Sequence, residues 1–226
     1  MCNLYSETSN AQAIVDLVKA FNRAGNLPTL PAIFPDKMAP VVRASPTDGV
    51  RELTMLRWGM PSPPEYLEPG AIDPGVTNIR NAWSPHWRPW IGPANRCVVP
   101  ATSFCEPTTD PDPVTGKKVG TWFALNDERP LFFFAGIWCT WHGVRGLRKA
   151  PEEGDHQLYG FLTTAPNGTV APIHKKAMPV ILRAPEEVET WMTAPAREAL
   201  KLQRSLPNDA LKIVLTGPKE DVAIAA

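Results

Sequence analysis

The sequence predicts a single α+β domain, and three observations support this fold class. A segment near the N-terminus has the 3.6-residue apolar period of a helix. From residue 50 to about residue 182, short apolar segments alternate with Pro, Gly and Asp, as strands and turns do. The 226 residues can bury one large core, and no internal repeat or composition shift divides them. We therefore predict one domain over residues 1–226.

The predicted N-terminal helix is SNAQAIVDLVKAFNRA, residues 9–24. Its apolar side chains recur at i, i+3, i+4 and i+7, from Ile14 to Phe21, and so share one face. Ser9 is expected to begin the helix as part of a capping box, and Gly25 is expected to end it.

The rest of the chain is predicted to be mainly β. The proline-rich segment 27–40 is expected to be an extended loop, because proline is excluded from helix interiors. Predicted strands are RELTMLRWGM, NRCVVPATSFCE, GTWFAL, LFFFAGIWCTW, HQLYGFLTT and AMPVILR. GTWFAL and LFFFAGIWCTW, separated by NDERP, are expected to form a hairpin. APEEVETWMTA has Pro185 in a first turn and begins a predicted helical extension, residues 183–226.

Charge, cysteine spacing and hydropathy exclude several classes of protein. The 23 basic and 23 acidic residues give a net charge of zero. This excludes a protein that coats nucleic acid through its overall charge, but it does not exclude a local basic groove. The cysteines at positions 2, 97, 105 and 139 lack zinc-site spacing, and no secretory signal is visible. We therefore expect reduced thiols, no bound metal and a cytoplasmic location. The apolar stretches are too short to cross a bilayer, so no membrane partner is expected.

Cys2 directly follows the initiator methionine. Removal of Met1 would leave a free α-amine and a thiol on one residue. These groups ordinarily titrate near pH 8 and 8.5, so both are expected to be partly nucleophilic at neutral pH. An aldehyde would form a Schiff base with the amine, and the thiol would then close a thiazolidine ring. The alternative is that Cys2 is a small buried residue of a first strand.

Two further residues are candidates for proton transfer. His174 lies between two predicted strands, in a loop from which its side chain can reach a cleft. Glu106 ends the mostly apolar strand RCVVPATSFCE, where burial would raise its pKa toward the range useful for proton transfer. A structural histidine and a solvated strand-end glutamate are the alternatives at this point.

Six features occur in order along the chain: Cys2 after Met1, LRWGM, TNIRNAWSPHWR, RCVVPATSFCE, FAGIW and IHKKAMPVIL. Over residues 2–182 they resemble the SOS response-associated peptidase (SRAP) family of abasic-site-processing proteins. The resemblance implies a compact α+β domain around a curved, barrel-like mixed β-sheet with flanking helices. It also implies an abasic-site sensor in single-stranded DNA that loses Met1 by self-cleavage. Such a protein forms a covalent thiazolidine crosslink through Cys2 and thereby shields the lesion.

The resemblance implies a role for each catalytic candidate. Cys2 would be the crosslinking nucleophile, and Asn78 would hold the N-terminal residue and the sugar. Glu106 would assist Met1 removal, proton transfer and crosslink reversal. His174 would assist opening of the sugar ring and formation of the Schiff base. Asn3 departs from the family, in which glycine is common at this position.

The resemblance also implies a surface that contacts DNA. Arg80 matches a family arginine that binds DNA phosphate, and Trp58 lies at a family position that lines the DNA groove. Thr163 is assigned to the same surface. Lys175 and Lys176 are expected to replace in part an arginine that the family carries nearby.

Other functions remain open from the sequence. An N-terminal nucleophile amidohydrolase, in which the thiol attacks an amide and the α-amine acts as base, is the main alternative. Its glycine-rich start is missing here, and Arg145 with Gly146 is placed in a charged loop. A peptidase that acts on other proteins and an interaction module with a buried Cys2 are further alternatives. We expect a monomeric autopeptidase of the thiol type with abasic-site lyase activity, no cofactor, and abasic single-stranded DNA as its partner.

Overall fold

The computed structural model describes residues 2–222, which contain fourteen strands and three α-helices and confirm the predicted α+β class. The strands are β1 (Tyr5–Glu7), β2 (Phe21–Asn22), β3 (Leu30–Ile33), β4 (Met38–Ala44), β5 (Arg51–Trp58), β6 (Asn78–Ile79), β7 (Arg96–Ala101), β8 (Ser103–Pro107), β9 (Gly120–Ala124), β10 (Phe132–Leu147), β11 (Ala150–Thr164), β12 (Met178–Pro179), β13 (Ile181–Leu182) and β14 (Lys212–Thr216). The helices are α1 (Ala11–Val18), α2 (Pro185–Thr193) and α3 (Ala196–Ala199).

Five strands form a closed barrel in the order β5, β4, β7, β10 and β11. Neighbouring strands are antiparallel except β5 and β11, which close the barrel in parallel. At the closure, Leu158 lies opposite Arg57 and Tyr159 lies opposite Trp58. Because the barrel is closed, each of its five strands has a hydrogen-bonded neighbour on both sides over at least part of its length. The barrel-like mixed sheet implied by the family resemblance is therefore confirmed.

A second sheet has the order β14, β9, β8, β1 and β3. β1 runs antiparallel to β8, with Tyr5 opposite Phe104 and Ser6 opposite Ser103. On its other side β1 pairs with β3, with Tyr5 opposite Ile33. This pairing brings the start of the chain next to β8, the strand that carries Glu106.

The barrel strands contribute to two apolar clusters, because successive side chains of a strand point to opposite faces. One cluster includes Val98 of the barrel and Trp191 of α2. The other contains aromatic side chains from both sheets. In it, the hydroxyls of Tyr5 and Tyr159 are 2.6 Å apart, and the Tyr5 ring meets Trp58 edge-on at 5.1 Å. β1 is thus anchored in the aromatic core three residues after Cys2.

The N-terminal helix is shorter than predicted. Its cap is Asn10 instead of Ser9, and the Ala13 backbone N–H donates to the Asn10 side chain at 2.8 Å. Lys19 has a left-handed conformation with φ 52° and ends the helix well before residue 24. The chain then pairs with β5 as β2, so Phe21 is 66% exposed instead of lying on a buried helix face.

The predicted hairpin of GTWFAL and LFFFAGIWCTW is wrong. β9 pairs with β8 and β14, whereas β10 pairs with β7, β11 and β13. β10 and β11 form a long hairpin instead, with Leu147 opposite Ala150 at its tip. The apolar runs in these segments do not alternate clearly between apolar and polar residues. They therefore do not indicate which strands pair.

Three smaller differences concern segment boundaries. NRCVVPATSFCE forms two strands, β7 and β8, and the proline-rich segment 27–40 contains β3 and the start of β4. β3 is at the edge of its sheet, where Pro31 is tolerated. The structure confirms α2 with Pro185 in its first turn. The C-terminal extension is not only helical, because β14 completes the second sheet.

Candidate active site

Cys2 lies three residues before the start of β1, and its side chain is completely buried. Its Sγ is 3.4 Å from the Leu4 carbonyl oxygen and 4.0 Å from the Cys105 carbonyl oxygen. The Cys105 backbone N–H donates to the Leu4 carbonyl at 2.9 Å, so β1–β8 pairing continues to this point. The position of the thiol is therefore fixed by backbone pairing.

Burial raises the pKa of the Cys2 thiol well above its ordinary value, and the nearby Glu106 raises it further. This shift belongs to the chain with Met1 still attached, whereas the expectation of a partly ionised thiol concerns Cys2 after Met1 has been removed. Burial favours the protonated thiol. It needs a base to take its proton in any reaction in which Sγ attacks.

Asn78 connects the barrel to the start of the chain. It lies in β6, which pairs with β11 so that Asn78 is opposite Phe161. Its side-chain nitrogen donates to the Cys2 carbonyl oxygen at 2.7 Å and to Thr77 Oγ1 at 2.7 Å. Within residues 2–222, the buried Oδ1 of Asn78 has no hydrogen-bond partner. This oxygen can accept a hydrogen bond from a group placed at the site.

Thr77 fixes the orientation of the Asn78 amide and was missed by the sequence analysis. The Thr77 hydroxyl accepts from Asn78 Nδ2 and donates to Asn3 Oδ1 at 3.0 Å. An amide oxygen cannot donate, so this chain of bonds requires the nitrogen of Asn78 to face Thr77 and Cys2. Thr77 is the first residue of TNIRNAWSPHWR, but the sequence analysis assigned it no role, because that role depends on the contact with Asn3.

Glu106 lies in β8 and is completely buried. Burial raises the pKa of its carboxyl from 4.5 to about 8. This confirms the expected desolvation of a carboxyl at the end of this strand. Near neutral pH the group therefore holds a proton that it can transfer.

His174 faces Glu106 from the turn between β11 and β12. Its Nε2 is 3.7 Å from a Glu106 carboxylate oxygen, and its Nδ1 is 3.3 Å from the Pro107 carbonyl oxygen. A carbonyl oxygen only accepts, so Nδ1 carries the proton in this contact. Burial lowers the pKa of His174, which favours the neutral imidazole with its Nε2 lone pair toward Glu106.

Two clefts flank Asn3, which lines both of them. The first has a volume of about 390 Å³, and its other lining residues are Pro35, Pro74, Gly75, Val76, Thr77 and Asn78. The second has a volume of about 350 Å³, and its other lining residues are Leu4, Phe34, Cys105, Pro107, Lys118, Gly120, Gly217, Pro218 and Lys219. Asn78 lines the first cleft, and Asn3 and Leu4, which follow Cys2 in the chain, line the second.

Arg145 supports the loop that leads to Asn78. The sequence places it in a charged loop, but it is completely buried near the tip of the β10–β11 hairpin. It donates to the Gly59 carbonyl at 3.1 Å and to Asp36 at 2.8 Å. Gly75 has φ 75°, and a Cβ there would lie 2.6 Å from Arg145 Nη1. Glycine at this position lets the loop pack directly on the guanidinium.

The residues assigned to DNA contact fall into two groups. Arg80, Lys175 and Lys176 are exposed. Trp58 is 0% exposed and Thr163 is 2% exposed, so both side chains belong to the interior. The Trp58 ring packs in the aromatic cluster, so it presents no face for a base to stack on. A strand-end tryptophan followed by glycine did not distinguish a core ring from a stacking surface.

The sequence profile of a family described as SOS response associated peptidase (SRAP) matches residues 1–217. The chain belongs to the SRAP family. The match extends beyond residue 182, where the resemblance was expected to end, and so includes α2, α3 and β14. The family is associated with the SOS response to DNA damage, and its name includes peptidase.

Two solved structures share the fold of this SRAP chain. A protein from Bacteroides thetaiotaomicron superposes with a TM-score of 0.72 at 21% identity, over 93% of this chain and 90% of that one. A phage-related protein from Bordetella bronchiseptica gives a TM-score of 0.66 at 21% identity, over 93% of this chain and 92% of that one. No curated protein matches this SRAP chain.

Residues 2–222 of this SRAP chain lack two kinds of feature. No helix there is long and apolar enough to cross a membrane. No group of three or more His, Cys, Asp or Glu side chains in the same range is placed to hold a metal ion.

Proposed function

We propose that this SRAP protein senses abasic sites in single-stranded DNA and binds them covalently through Cys2 after it has released its own Met1. One observation carries the proposal. Asn78 donates a hydrogen bond to the Cys2 carbonyl, and Glu106 is near enough to the Cys2 thiol for its charge to raise the thiol pKa. His174 lies 3.7 Å from Glu106, and Asn3, next to Cys2 in the chain, lines two clefts. These contacts link a nucleophile, a proton donor, a neutral imidazole and an oriented amide.

Release of Met1 is the first step. The Cys2 sulfur attacks the Met1 carbonyl carbon, the Met1–Cys2 peptide bond breaks, and the thiol proton passes to the departing α-amine. Water then hydrolyses the thioester and gives free methionine, the thiol and the α-amine. Glu106 transfers the proton in this step, because its raised pKa lets it hold a proton or give it up near neutral pH.

Capture of the lesion begins with the sugar. His174 Nε2 takes the proton of the C1′ hydroxyl, the ring bond to C1′ breaks, and the proton goes to the ring oxygen, which leaves an aldehyde. The α-amine attacks this aldehyde to form a carbinolamine. Glu106 protonates the leaving hydroxyl, and one water departs as the imine forms. Asn78 Oδ1, which has no hydrogen-bond partner among residues 2–222, accepts a hydrogen bond from the amine or the sugar.

Ring closure makes the product stable. The Cys2 sulfur adds to the imine carbon, and its proton moves to the nitrogen, which gives a five-membered thiazolidine. The net reaction joins the aldehyde to the aminothiol with loss of one water. An abasic nucleotide suits such a buried nucleophile, because it lacks the base that would have to be unstacked and accommodated. Arg80, Lys175 and Lys176 are exposed and hold the phosphates in this proposal.

The test is intact mass measurement before and after mixing with a single-stranded oligonucleotide that carries one abasic site. We expect a starting mass without Met1, a heat-stable adduct, and no adduct with Cys2→Ala. Cys2→Ser is expected to give an adduct only when borohydride traps the imine, since a hydroxyl does not close the stable ring. The matched control is Cys139→Ala, which removes another buried thiol.

Retention of Met1 together with no adduct would refute the proposal. An adduct that persists in Cys2→Ala would also refute it, because another residue would then be the nucleophile. If folded Cys139→Ala also failed to form the adduct, loss of the adduct would reflect disturbance of the core by removal of any buried thiol, and not a role of Cys2.

A further inference from the structure

The second cleft beside Asn3, whose lining includes Lys118 and Lys219, differs from the first in its charge. Among the described residues that line it, these two lysines are the charged ones. The described lining of the first cleft carries no charge. Of the two linings, only that of the second cleft therefore offers positive charge to a ligand.

Lys219 is held in place by the segment that follows β14. The Gly217 backbone N–H donates to the Gly120 carbonyl at 2.8 Å, and Trp122 Nε1 donates to the Pro218 carbonyl at 3.0 Å. These bonds fix the chain immediately before Lys219. The family match ends at residue 217, so Lys219 lies in a part of the chain that the family profile does not cover.

The segment is also anchored after Lys219. Asp221 is buried, and its carboxylate accepts from Arg129 Nε at 2.8 Å and from the Ser103 hydroxyl at 2.5 Å. Its backbone N–H donates to the Pro31 carbonyl at 2.9 Å. Lys219 is therefore an exposed side chain on a backbone fixed at both ends, which reduces the entropy lost when it binds a ligand.

Lys118 also lines the second cleft, and its charge acts on His174. The positive charges of Lys118 and Lys176 contribute to lowering the pKa of His174, after the larger effect of burial. Phe34 lies in the same cleft and is 41% exposed, so an apolar ring is available beside the two lysines. Positive side chains next to an exposed aromatic ring are the usual features of a single-strand binding surface.

We propose that this cleft binds the nucleotide adjacent to the abasic site, with its phosphate between Lys118 and Lys219 and its base against Phe34. This inference rests on the proposed function and adds the direction in which the DNA strand crosses the site. The strand is held by charge on the β8–β9 side of Cys2 and passes through the uncharged cleft on the Asn78 side. The C-terminal segment is thereby part of the DNA-binding surface.

The experiment measures equilibrium binding of a fluorescent single-stranded oligonucleotide with a central tetrahydrofuran, an abasic analogue that has no aldehyde. Lys118→Ala and Lys219→Ala are compared with Lys117→Ala and Lys212→Ala, which remove exposed lysines outside the cleft lining. We expect each cleft variant to weaken binding and to reduce the slope of log affinity against log salt by about 0.7, the value for one phosphate contact to a single strand. The control variants are expected to keep the wild-type slope.

Two shortened oligonucleotides determine the direction of the strand. One has no nucleotides on the 5′ side of the analogue, and the other has none on its 3′ side. The effect of the cleft variants is expected to vanish with one of them and to persist with the other. An equal effect with both would overturn the proposal, since the lysines would then act only through the general field of the protein. Unchanged affinity and salt slope in both cleft variants would also overturn it.

Adduct formation separates this inference from the proposed function. Each variant is therefore also incubated with a true abasic oligonucleotide at saturating concentration. An adduct with wild-type protein, together with unaltered binding by the cleft variants, refutes the cleft assignment alone. Absence of the adduct with wild-type protein refutes the proposed function instead.

Discussion

The side-chain nitrogen of Asn78 lies 2.7 Å from the carbonyl oxygen of Cys2 and joins β6 to the start of the chain. The same nitrogen lies 2.7 Å from Thr77 Oγ1. Both hydrogens of the amide are therefore used to hold Asn78 in one orientation. The residue before Asn78 thus controls how the candidate site is arranged.

Thr77→Val is expected to slow adduct formation about fivefold at saturating DNA, which corresponds to loss of one hydrogen bond worth about 1 kcal/mol. Valine keeps the shape but leaves one Asn78 N–H without its acceptor. Thr77→Ser retains the hydroxyl and is the matched control. Rates are measured by quenched time courses on denaturing gels. Equal rates for the valine and serine variants would contradict the positioning role.

Glu7→Gln is expected to change the pH dependence of stability. Glu7 is 1% exposed, and burial raises its pKa from 4.5 to about 7. Between these two values the folded protein binds more protons than the unfolded chain, so the stabilisation due to Glu7 is lost as pH rises. The slope is at most about 1.4 kcal/mol per pH unit.

Urea unfolding at several pH values checks this prediction. Glutamine cannot ionise, so the stability of Glu7→Gln relative to wild type is expected to rise from pH 5 to 7 and then to level off. Glu106 remains in both proteins and contributes equally to both curves. A difference that is constant over this pH range would show that Glu7 does not titrate as the structure indicates.

Gly75→Ala is expected to be more destabilising than Gly70→Ala. Both glycines have φ 75°, so alanine adds similar backbone strain at each position. A Cβ at Gly70 meets no atom within 4 Å, whereas one at Gly75 comes within 2.6 Å of Arg145 Nη1. We expect an additional loss of about 1–3 kcal/mol for Gly75→Ala, the usual cost of overpacking. Equal unfolding free energies would mean that the loop can move away from Arg145.

Asp221→Asn is expected to lower the free energy of unfolding by about 3 kcal/mol, because it leaves the Arg129 guanidinium without its buried counter-charge. Asp127→Asn is the control, since the side chains of its pair with Lys212 are 69% and 56% exposed. Exposed pairs contribute little, so this variant is expected to unfold like wild type. Similar losses in both variants would contradict a special role for the buried pair.

The chemistry-bearing residues were predictable because their types and local surroundings are visible in the sequence. Cys2 follows Met1, and Glu106 ends an apolar strand whose burial raises the carboxyl pKa to about 8. Thr77 and Arg145 were not predictable, since each acts through a partner far away in the chain. Trp58 shows the same limit, because only packing decides whether a tryptophan faces solvent or the core.

The sequence by itself determined the α+β class, most strand segments and α2, because period, capping and residue type are local properties. Residue type and position also made Cys2, Glu106 and His174 candidates, whereas Asn78 became one through the family resemblance. The tertiary structure decided which strands pair. It assigned β9 and β10 to different sheets, closed the barrel through β5 and β11, and ended α1 at Lys19. It also decided the burial of the Cys2 thiol, which raises its pKa, and which charged residues line each cleft. These properties depend on burial and on long-range contacts, which arise only when distant segments pack together.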